Sequence, residues 1–362
     1  MKVPKDVIRE EITLHGAISF ERFMAVALYC PETGYYERQK DNVGRAGDFI
    51  TSVSTGSLFG ELLAFQFAEW LENTRAPGLV QQLIEAGAHD GRLAADILAW
   101  LQTHRAELFA QLQFGILEPS ASRQVWQRET LKHFASKITW YRDLPDLRQR
   151  VGKFSGVLYS NELLDAFPVR RLGWNSREKT WFEWGVKLEA EKFSWTRLPL
   201  VAIPPLLNLP DELLRLLPDG YTVEFCPSAA DWWREAASLL TAGKLIAIDY
   251  GFTDAEVFSP ARTCGTLRAY RRHHVSDDLL ADPGEQDLTA HVNFSAIQRV
   301  GEAAGLKTES FSPQPRFLTR ILERTLRHGA VAELDAKRIR QFQTLTHPEH
   351  LGRAFSVLIQ ST

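Results

Sequence analysis

Cysteine is scarce in this chain of 362 residues, which contains only Cys30, Cys226 and Cys264. These cysteines lie far apart and form no CxxC pair, and the ten histidines include no HExxH motif. Disulfide frameworks and zinc sites both depend on closely patterned ligands. We therefore predict free thiols in a reducing compartment and no metal site.

The sequence also lacks an excess of charge of one sign and any long apolar run. Its formal net charge is −3 and it has no basic tail, so nucleic acid is not predicted as a partner. No segment reaches the roughly 18 apolar residues of a spanning helix, so no membrane insertion is predicted. The N-terminus, MKVPKDVIREEITLHG, has no apolar signal core and is too acidic for a mitochondrial transit peptide, which favours a cytoplasmic location.

Strand-like and helix-like segments alternate from about residue 80, which predicts a doubly wound α/β fold with a parallel sheet. The candidate strands, in chain order, are VQQLIEAG, FGILEPS, ITWYRDL, GVLYSNELL and KLIAIDYG. Each of them ends near a polar or acidic residue. Because ligands bind outside the carboxyl ends of such strands, we expect the functional site there.

Other patterns flank and interrupt this alternation. The predicted units are residues 1–78 as an N-terminal helical extension and flap, 79–167 and 236–316 as the sheet core, 168–235 as an inserted β-rich lobe and connector, and 317–362 as C-terminal helices. Within the lobe, an antiparallel hairpin is expected at about 168–200. Ser19 is the expected cap of the second helix.

The segment LIEAGAHDGRLAADIL places Glu85 at the end of a strand, with Gly87 and Gly91 in the turn before a helix. Glycines permit a sharp turn, and a carboxylate at the strand end can receive the ammonium group of S-adenosylmethionine. Glu118 ends the next strand, where it can accept both ribose hydroxyls. Taken alone, the glycine segment could be a plain tight turn, and Glu118 could be a solvated acid. Together, the two features favour a nucleoside-binding site. The GxxxG spacing fits the nicotinamide fingerprint GxGxxG poorly.

The segment GVLYSNELLDAFPVR runs from an apolar strand into Asn161, Glu162 and Asp165. If the chain is helical there, the two acids share one face. A carboxylate pair suits a cationic acceptor, and guanidinium in particular matches carboxylates in a bidentate manner. The alternative is a capped helix start with exposed acids.

Two loop segments allow a functional and a structural interpretation. In GRAGDFITSVS, Thr51 and Ser52 belong either to a flap that closes over the site or to the cap region of the next helix, which Ser54 or Thr55 could supply. In DPGEQDLTAHVNF, His291 could shuttle a proton, but a role in satisfying a loop backbone is favoured.

In this order the segments resemble the MidA-like family of methyltransferases, from about Ile18 to Phe317. The most specific strings are GDFITS followed by LFGELLA, then SNELLDAFPVRR, and GTLRAYRRHH with DLTAHVNF. That family includes the mitochondrial protein arginine methyltransferase needed for complex I assembly. The resemblance implies a Rossmann-like class I methyltransferase fold and S-adenosyl-L-methionine as cofactor. It also implies a protein arginine as acceptor, with a respiratory complex subunit as one candidate partner.

The resemblance also implies roles for individual residues. The positions that match the family's motifs are, for the cofactor, Thr51, Ser52, Glu85, Gly87, Gly91, Glu118 and Asn161 and, for catalysis, Glu162 and Asp165. One departure is the glycine loop, which reads EAGAHDG where the family usually has a sequence like ELGPGRG. His89 replaces the central glycine, and its Cβ restricts the backbone near the cofactor.

Three functions therefore stay open from the sequence. The favoured one is an active protein methyltransferase, because a scaffold has no need of Glu85, Glu118 and Glu162 at strand ends. The second is a non-catalytic, cofactor-binding assembly factor, which His89 supports. The third is a nicotinamide-dependent oxidoreductase, which the glycine spacing disfavours. The acceptor and the oligomeric state stay undetermined.

Overall fold

The computed structural model describes residues 2–38, 51–74, 81–200, 202–271, 274–329, 334–353 and 355–362. Its helices are α1 (Pro4–His15), α2 (Phe20–Tyr29), α3 (Leu58–Asn73), α4 (Arg92–His104), α5 (Ala106–Gln111), α6 (Ala121–Thr130), α7 (Leu144–Val151), α8 (Asp211–Leu214), α9 (Pro227–Leu239), α10 (Asp254–Val257), α11 (Phe294–Ala303), α12 (Gln314–Arg327) and α13 (Ala336–Thr346). Its strands are β1 (Ile18–Ser19), β2 (Gln81–Ala86), β3 (Gln113–Leu117), β4 (Ile138–Tyr141), β5 (Phe154–Asn161), β6 (Arg170–Asn175), β7 (Thr180–Glu189), β8 (Lys192–Pro199), β9 (Thr222–Phe225), β10 (Leu240–Phe252), β11 (Arg268–Arg271), β12 (His274–Ser276), β13 (Asp287–Thr289), β14 (Val292–Asn293), β15 (Lys307–Pro313) and β16 (Phe355–Ser361).

The central sheet has the strand order β15-β16-β10-β5-β2-β3-β4. The strands β10, β5, β2, β3 and β4 are parallel, and β16 is antiparallel to both of its neighbours. The chain moves outward in one direction from β2 to β4 and then returns to the other side of β2 with β5. The crevice of a doubly wound sheet lies at such a switch point. The predicted α/β fold class is confirmed.

Helices cover both faces of this sheet. The apolar residues of α3, α4 and α12 form one buried cluster with one face of the sheet, and those of α7, α9 and α11 form another with the opposite face. The helix α3 is apolar on nearly all sides, with Phe59, Leu63 and Phe67 almost completely buried. A helix of that kind belongs in the interior. The central strands are therefore buried on both faces, which leaves their carboxyl ends as the accessible edge.

The inserted lobe contains more strands than the expected hairpin. The strands β6, β7 and β8 form an antiparallel meander over residues 170–199, and β9 and β1 add to the same sheet. The connector after residue 200 thus contributes the strand β9 to the sheet of the lobe. The strand β1 belongs to the N-terminal extension, whose helices α1 and α2 pack against this sheet. Its second helix begins as predicted, because the Ser19 hydroxyl accepts the backbone N–H of Arg22 at 3.2 Å.

The prediction of C-terminal helices over 317–362 is wrong at the end of the chain. The helices α12 and α13 are present, but β16 is a strand between β10 and β15. Val357 and Leu358 are fully buried there. A short apolar run can be a buried strand or part of a buried helix, and periodicity does not distinguish them. Among the described residues, no helix is long and apolar enough to cross a bilayer.

Candidate active site

A cavity of about 630 Å³ opens at the carboxyl ends of the parallel strands. Its size falls within the range of roughly 300–1,000 Å³ that is usual for small-molecule sites. The sequence-predicted residues that line it are Thr51, Glu85, Gly87, Glu118, Asn161, Glu162 and Asp165. Ser52 and Gly91 lie just outside the lining. The elements that carry these residues are far apart in the chain, and the switch point brings them together.

The loop after β2 has left-handed backbone geometry at three positions. The φ angles are +74° at Gly87, +46° at His89 and +85° at Gly91. A side chain at Gly87 would be strained by this positive φ, and its Cβ would lie 2.8 Å from a methyl group of Leu163, which would have to shift. His89 occupies this region at some conformational cost, although His is among the residues that tolerate it best. Its side chain lines the cavity without filling it.

Glu85 lies at the end of β2 with only 2% of its surface exposed. The hydroxyl of Tyr159, its neighbour on β5, donates a hydrogen bond to Glu85 Oε2 at 2.9 Å. Burial raises the pKa of Glu85 to about 8, although the hydrogen bond from Tyr159 opposes this shift. The carboxyl group is therefore ready to ionise when a cation is brought beside it.

Glu118 is held by two donors at the end of β3. The backbone N–H of Ser120 donates to its Oε1 at 3.0 Å, and Gln127 Nε2 donates to its Oε2 at 2.9 Å. Gln127 Nε2 also donates to the carbonyl oxygen of His89, while Trp140 Nε1 donates to Gln127 Oε1. The side chain of Gln127 thus connects the glycine loop to the acid of the next strand. Sequence reasoning missed it, because a glutamine in a polar helix looks like a surface residue.

Glu162 follows β5 in a left-handed conformation, with φ +53°, so the segment is not the predicted helical turn. Its Oε1 accepts hydrogen bonds from Asn161 Nδ2 at 3.0 Å and from the backbone N–H of Ser52 at 3.4 Å. Its Oε2 and the Oδ1 of Asn161 are buried and have no hydrogen-bond partner among the described residues. Burial raises the pKa of Glu162 to about 8. Once the Glu162 carboxyl group is ionised, a ligand with N–H groups could donate hydrogen bonds to both oxygens.

Asp165 and Asp249 complete a buried acidic group at the same end of the cavity. Burial, followed by repulsion from Asp249, Asp287 and Glu162, holds the pKa of Asp165 well above its usual value. Asp249, on β10, accepts the backbone N–H groups of Leu163, Leu164 and Tyr250 at 3.2, 2.9 and 2.8 Å. Burial still raises the pKa of Asp249 to about 7. Within the described residues, neither Asp165 nor Asp249 forms an ion pair with Lys, Arg or His.

Aromatic side chains also line the cavity. The aromatic residues that line it are Tyr29, Tyr36, Phe167, Trp232, Tyr250 and Tyr270. The ring of His291 also lines it and stacks on Phe252 with centroids 4.6 Å apart. Burial, followed by the charge of Arg268, lowers the pKa of His291 to about 4. Its ring is neutral near pH 7 and a weak base, which argues against a proton-shuttling role.

The N-terminal flap is only partly described. Gly44, Gly47, Asp48 and Phe49 lie outside the described residues, whereas Thr51 and Ser52 are held in a turn before α3. Ser54 and Thr55 do not cap α3, since that helix begins after Ser57. The buried Ser52 contributes its backbone N–H to Glu162, so this segment contacts the acidic end of the cavity.

Comparison with known proteins agrees with this geometry. Residues 62–312 match a family model described as "putative S-adenosyl-L-methionine-dependent methyltransferase". The chain belongs to this methyltransferase family. A crystal structure from Burkholderia thailandensis, bound to S-adenosyl-homocysteine, is 31% identical with a TM-score of 0.84, over 99% of this chain and 92% of that one. The cofactor of this family, S-adenosyl-L-methionine, is therefore also the cofactor of this chain.

Curated relatives align over most of the chain. The mouse protein named "Protein arginine methyltransferase NDUFAF7, mitochondrial" is 27% identical, over 94% of this chain and 80% of the relative. The human protein of the same name is also 27% identical, over 94% and 79%. Membership in the methyltransferase family gives no support to the nicotinamide-dependent alternative.

The backbone strain at His89 leads to a first prediction. Replacing His89 with Gly or with Ala removes the imidazole in both cases, but only Gly relieves the left-handed conformation. We expect His89→Gly to be more stable than His89→Ala by about 1 kcal/mol, as measured by urea denaturation. Equal stabilities would show that the loop is not held in this conformation.

The raised pKa of Glu162 leads to a second prediction. A carboxyl group whose pKa is about 8 when folded and 4.5 when unfolded binds more protons in the folded state between these values. Its contribution to stability is therefore present at low pH and is lost as the pH rises through that window. We expect Glu162→Gln to unfold at higher urea concentration than wild type at pH 8, with a difference that narrows towards pH 5. A difference independent of pH would contradict the burial of an ionisable group here.

Proposed function

We propose that this methyltransferase acts on a protein arginine. The observation that carries the proposal is a pair of buried oxygens beside the buried Asp165. These oxygens, Glu162 Oε2 and Asn161 Oδ1, have no hydrogen-bond partner in the part of the chain that the structure describes. A guanidinium group offers five N–H donors in a plane and always carries a positive charge. It would donate hydrogen bonds to both oxygens and bring a positive charge to these carboxyl groups.

The other end of the cavity fits the cofactor. Glu85 would receive the ammonium group, and Glu118, already oriented by Ser120 and Gln127, would accept the ribose hydroxyls. Gly87 adopts the left-handed turn that brings the backbone of this loop to the cavity. Thr51, Ser52 and Gly91 are also proposed to shape the cofactor site. Asn161, expected at the cofactor, is proposed to serve the acceptor end instead, because its Oδ1, which has no partner among the described residues, lies beside Glu162.

The acidic residues have two tasks in the reaction. When bound, S-adenosyl-L-methionine supplies an electrophilic methyl group on a sulfonium. Glu162 and Asp165 would fix the plane of the guanidinium so that one nitrogen faces this methyl group. As the new N–C bond forms and the S–C bond breaks, that nitrogen loses a proton, which a carboxylate of this pair can accept. Pairing with a cation lowers the pKa of a carboxyl group, so the bound acceptor itself brings Glu162 into its ionised form.

The names of the mouse and human relatives support arginine over other acceptors. A non-catalytic assembly factor is the second candidate. The observation that favours it is the strained backbone of His89 within the loop after β2. The cavity next to His89 nevertheless stays open, which supports catalysis. A protein partner and a cytoplasmic location are part of the same proposal.

Transfer of tritiated methyl groups tests this function. The protein is incubated with labelled cofactor and a cell lysate, and the labelled bands are hydrolysed to amino acids. We expect methylarginine, with at least roughly 100-fold less label for Glu162→Gln because orientation and proton acceptance are both lost. Glu129→Gln, an exposed acid paired with Lys132, serves as the control and should keep wild-type activity.

The outcomes separate the candidates. Label in lysine or in a base-labile ester would replace arginine with another acceptor. Tight binding of S-adenosyl-homocysteine by calorimetry, together with no labelled band in any lysate, would favour the assembly factor.

A further inference from the structure

Gln127, on α6, is completely buried between the loop after β2 and the end of β3. Its Nε2 donates hydrogen bonds to Glu118 Oε2 at 2.9 Å and to the carbonyl oxygen of His89 at 3.0 Å. Its Oε1 accepts a hydrogen bond from Trp140 Nε1, on β4, at 2.9 Å. Because an indole nitrogen can only donate, the amide oxygen must face Trp140. Both amide hydrogens are therefore directed to the cofactor end of the cavity.

The loop after β2 packs directly against α6. A Cβ on Gly91 would lie 3.0 Å from a methyl group of Leu131 and 3.5 Å from the Cα of Gln127. The N–H of Gly91 closes the loop by donating to the carbonyl oxygen of Ala88 at 2.7 Å. His89 lies inside this turn with φ +46°, a conformation that a residue with a Cβ adopts only at some cost. The hydrogen bond from Gln127 holds the turn in this shape.

Gln127 can act on the cofactor only through its neighbours. Within the described part of the chain, the cavity lining includes Glu118 and His89 but neither Gln127 nor Trp140. Glu118 is proposed to receive the ribose hydroxyls. The turn with His89 follows β2, which carries Glu85, the acid proposed to receive the ammonium group. One buried side chain therefore connects the parts of the cavity that are proposed to hold the two ends of the cofactor.

We propose that Gln127 is a positioning residue that holds the His89 turn in the shape that the cofactor requires while it orients Glu118. This inference rests on the proposed placement of the ribose at Glu118. Without the hydrogen bond from Gln127, a histidine at position 89 would favour negative φ, and the turn would change its conformation. Glycine has no such preference. Gln127 is therefore the residue through which this chain keeps a cofactor-binding turn that contains a histidine.

Binding of S-adenosyl-homocysteine, measured by calorimetry, tests this role. We expect Gln127→Met to weaken binding roughly tenfold, because it keeps a similar volume but loses the hydrogen bonds to Glu118 and to the turn. Adding His89→Gly to this variant should recover about fivefold in affinity, since glycine adopts positive φ without cost. When Gln127 is present, His89→Gly should change the affinity by less than about twofold, because the turn is already held.

Gln360 offers a matched control for the loss of a buried glutamine. It is also completely buried, and its Oε1 accepts a hydrogen bond from Trp233 Nε1 at 2.7 Å. Its Nε2 donates to the carbonyl oxygen of Gln298 and to Thr308 Oγ1, both at 2.9 Å. These four residues lie away from the cavity. Gln360→Met should therefore lower the urea midpoint of unfolding, as Gln127→Met does, but leave the affinity for S-adenosyl-homocysteine unchanged.

A variant that keeps Gln127 distinguishes positioning from a failure to fold. Trp140→Phe retains an aromatic ring but removes the N–H that fixes the amide, so it should weaken binding of S-adenosyl-homocysteine by about threefold. If Gln127→Met does not fold, Trp140→Phe decides the question, and an unchanged affinity in this variant would overturn the inference.

The possible failures are distinct. Unchanged affinity in Gln127→Met, or an equal effect of His89→Gly with and without Gln127, would overturn the role of Gln127 while the placement of the cofactor stands. Glu118→Ala tests that placement separately, and it should weaken binding at least as much as Gln127→Met. If Glu118→Ala binds S-adenosyl-homocysteine as tightly as wild type, the proposed ribose site fails and the role of Gln127 fails with it.

Discussion

The structure depends on carboxyl groups at the ends of β5 and β10 that are buried and that have no cation paired with them among the described residues. Asp249 has three backbone N–H donors and so fixes the turn that carries Glu162 and Asp165. Hydrogen bonds offset the cost of burial less at Glu162 and Asp165 than at Asp249. Burial raises the pKa of both residues. Such a group lowers the stability of the free protein near neutral pH and strengthens the binding of a cation. The free protein is thus less stable because of groups that binding and chemistry require.

Three separate parts of the chain meet at this acidic end. The sheet core supplies Glu162 and Asp165, the segment before α3 supplies the backbone N–H of Ser52, and the N-terminal extension supplies Tyr36. The extension itself packs on the inserted lobe through α1 and α2. The lobe thus acts as a platform for the extension, in addition to any surface that it offers to a partner. This arrangement connects both additions of this chain to the acidic end of the cavity.

The sequence predicts the parallel sheet well, and it correctly places Glu85 and Glu118 at the ends of neighbouring strands, because each acid ends an apolar run and glycines mark the turn after the first strand. It does not predict residues whose importance comes from distant contacts. Gln127 is buried under Glu118 although its helix is polar, and Tyr36 meets Asp287 across 251 positions of sequence. The strand β16 was not predicted for a similar reason, because only its pairing with β10 and β15 identifies this segment as a strand.

The central claim is that a cation binds at a carboxyl group that is protonated in the free protein. Measuring proton release tests this claim most directly. An arginine-containing peptide is titrated into the protein saturated with S-adenosyl-homocysteine at pH 7, in buffers with different enthalpies of ionisation. With Glu162 ionising on pairing, about one proton should leave for each peptide bound. Tight binding with no net release of protons, in wild type and Glu162→Gln alike, would contradict the account.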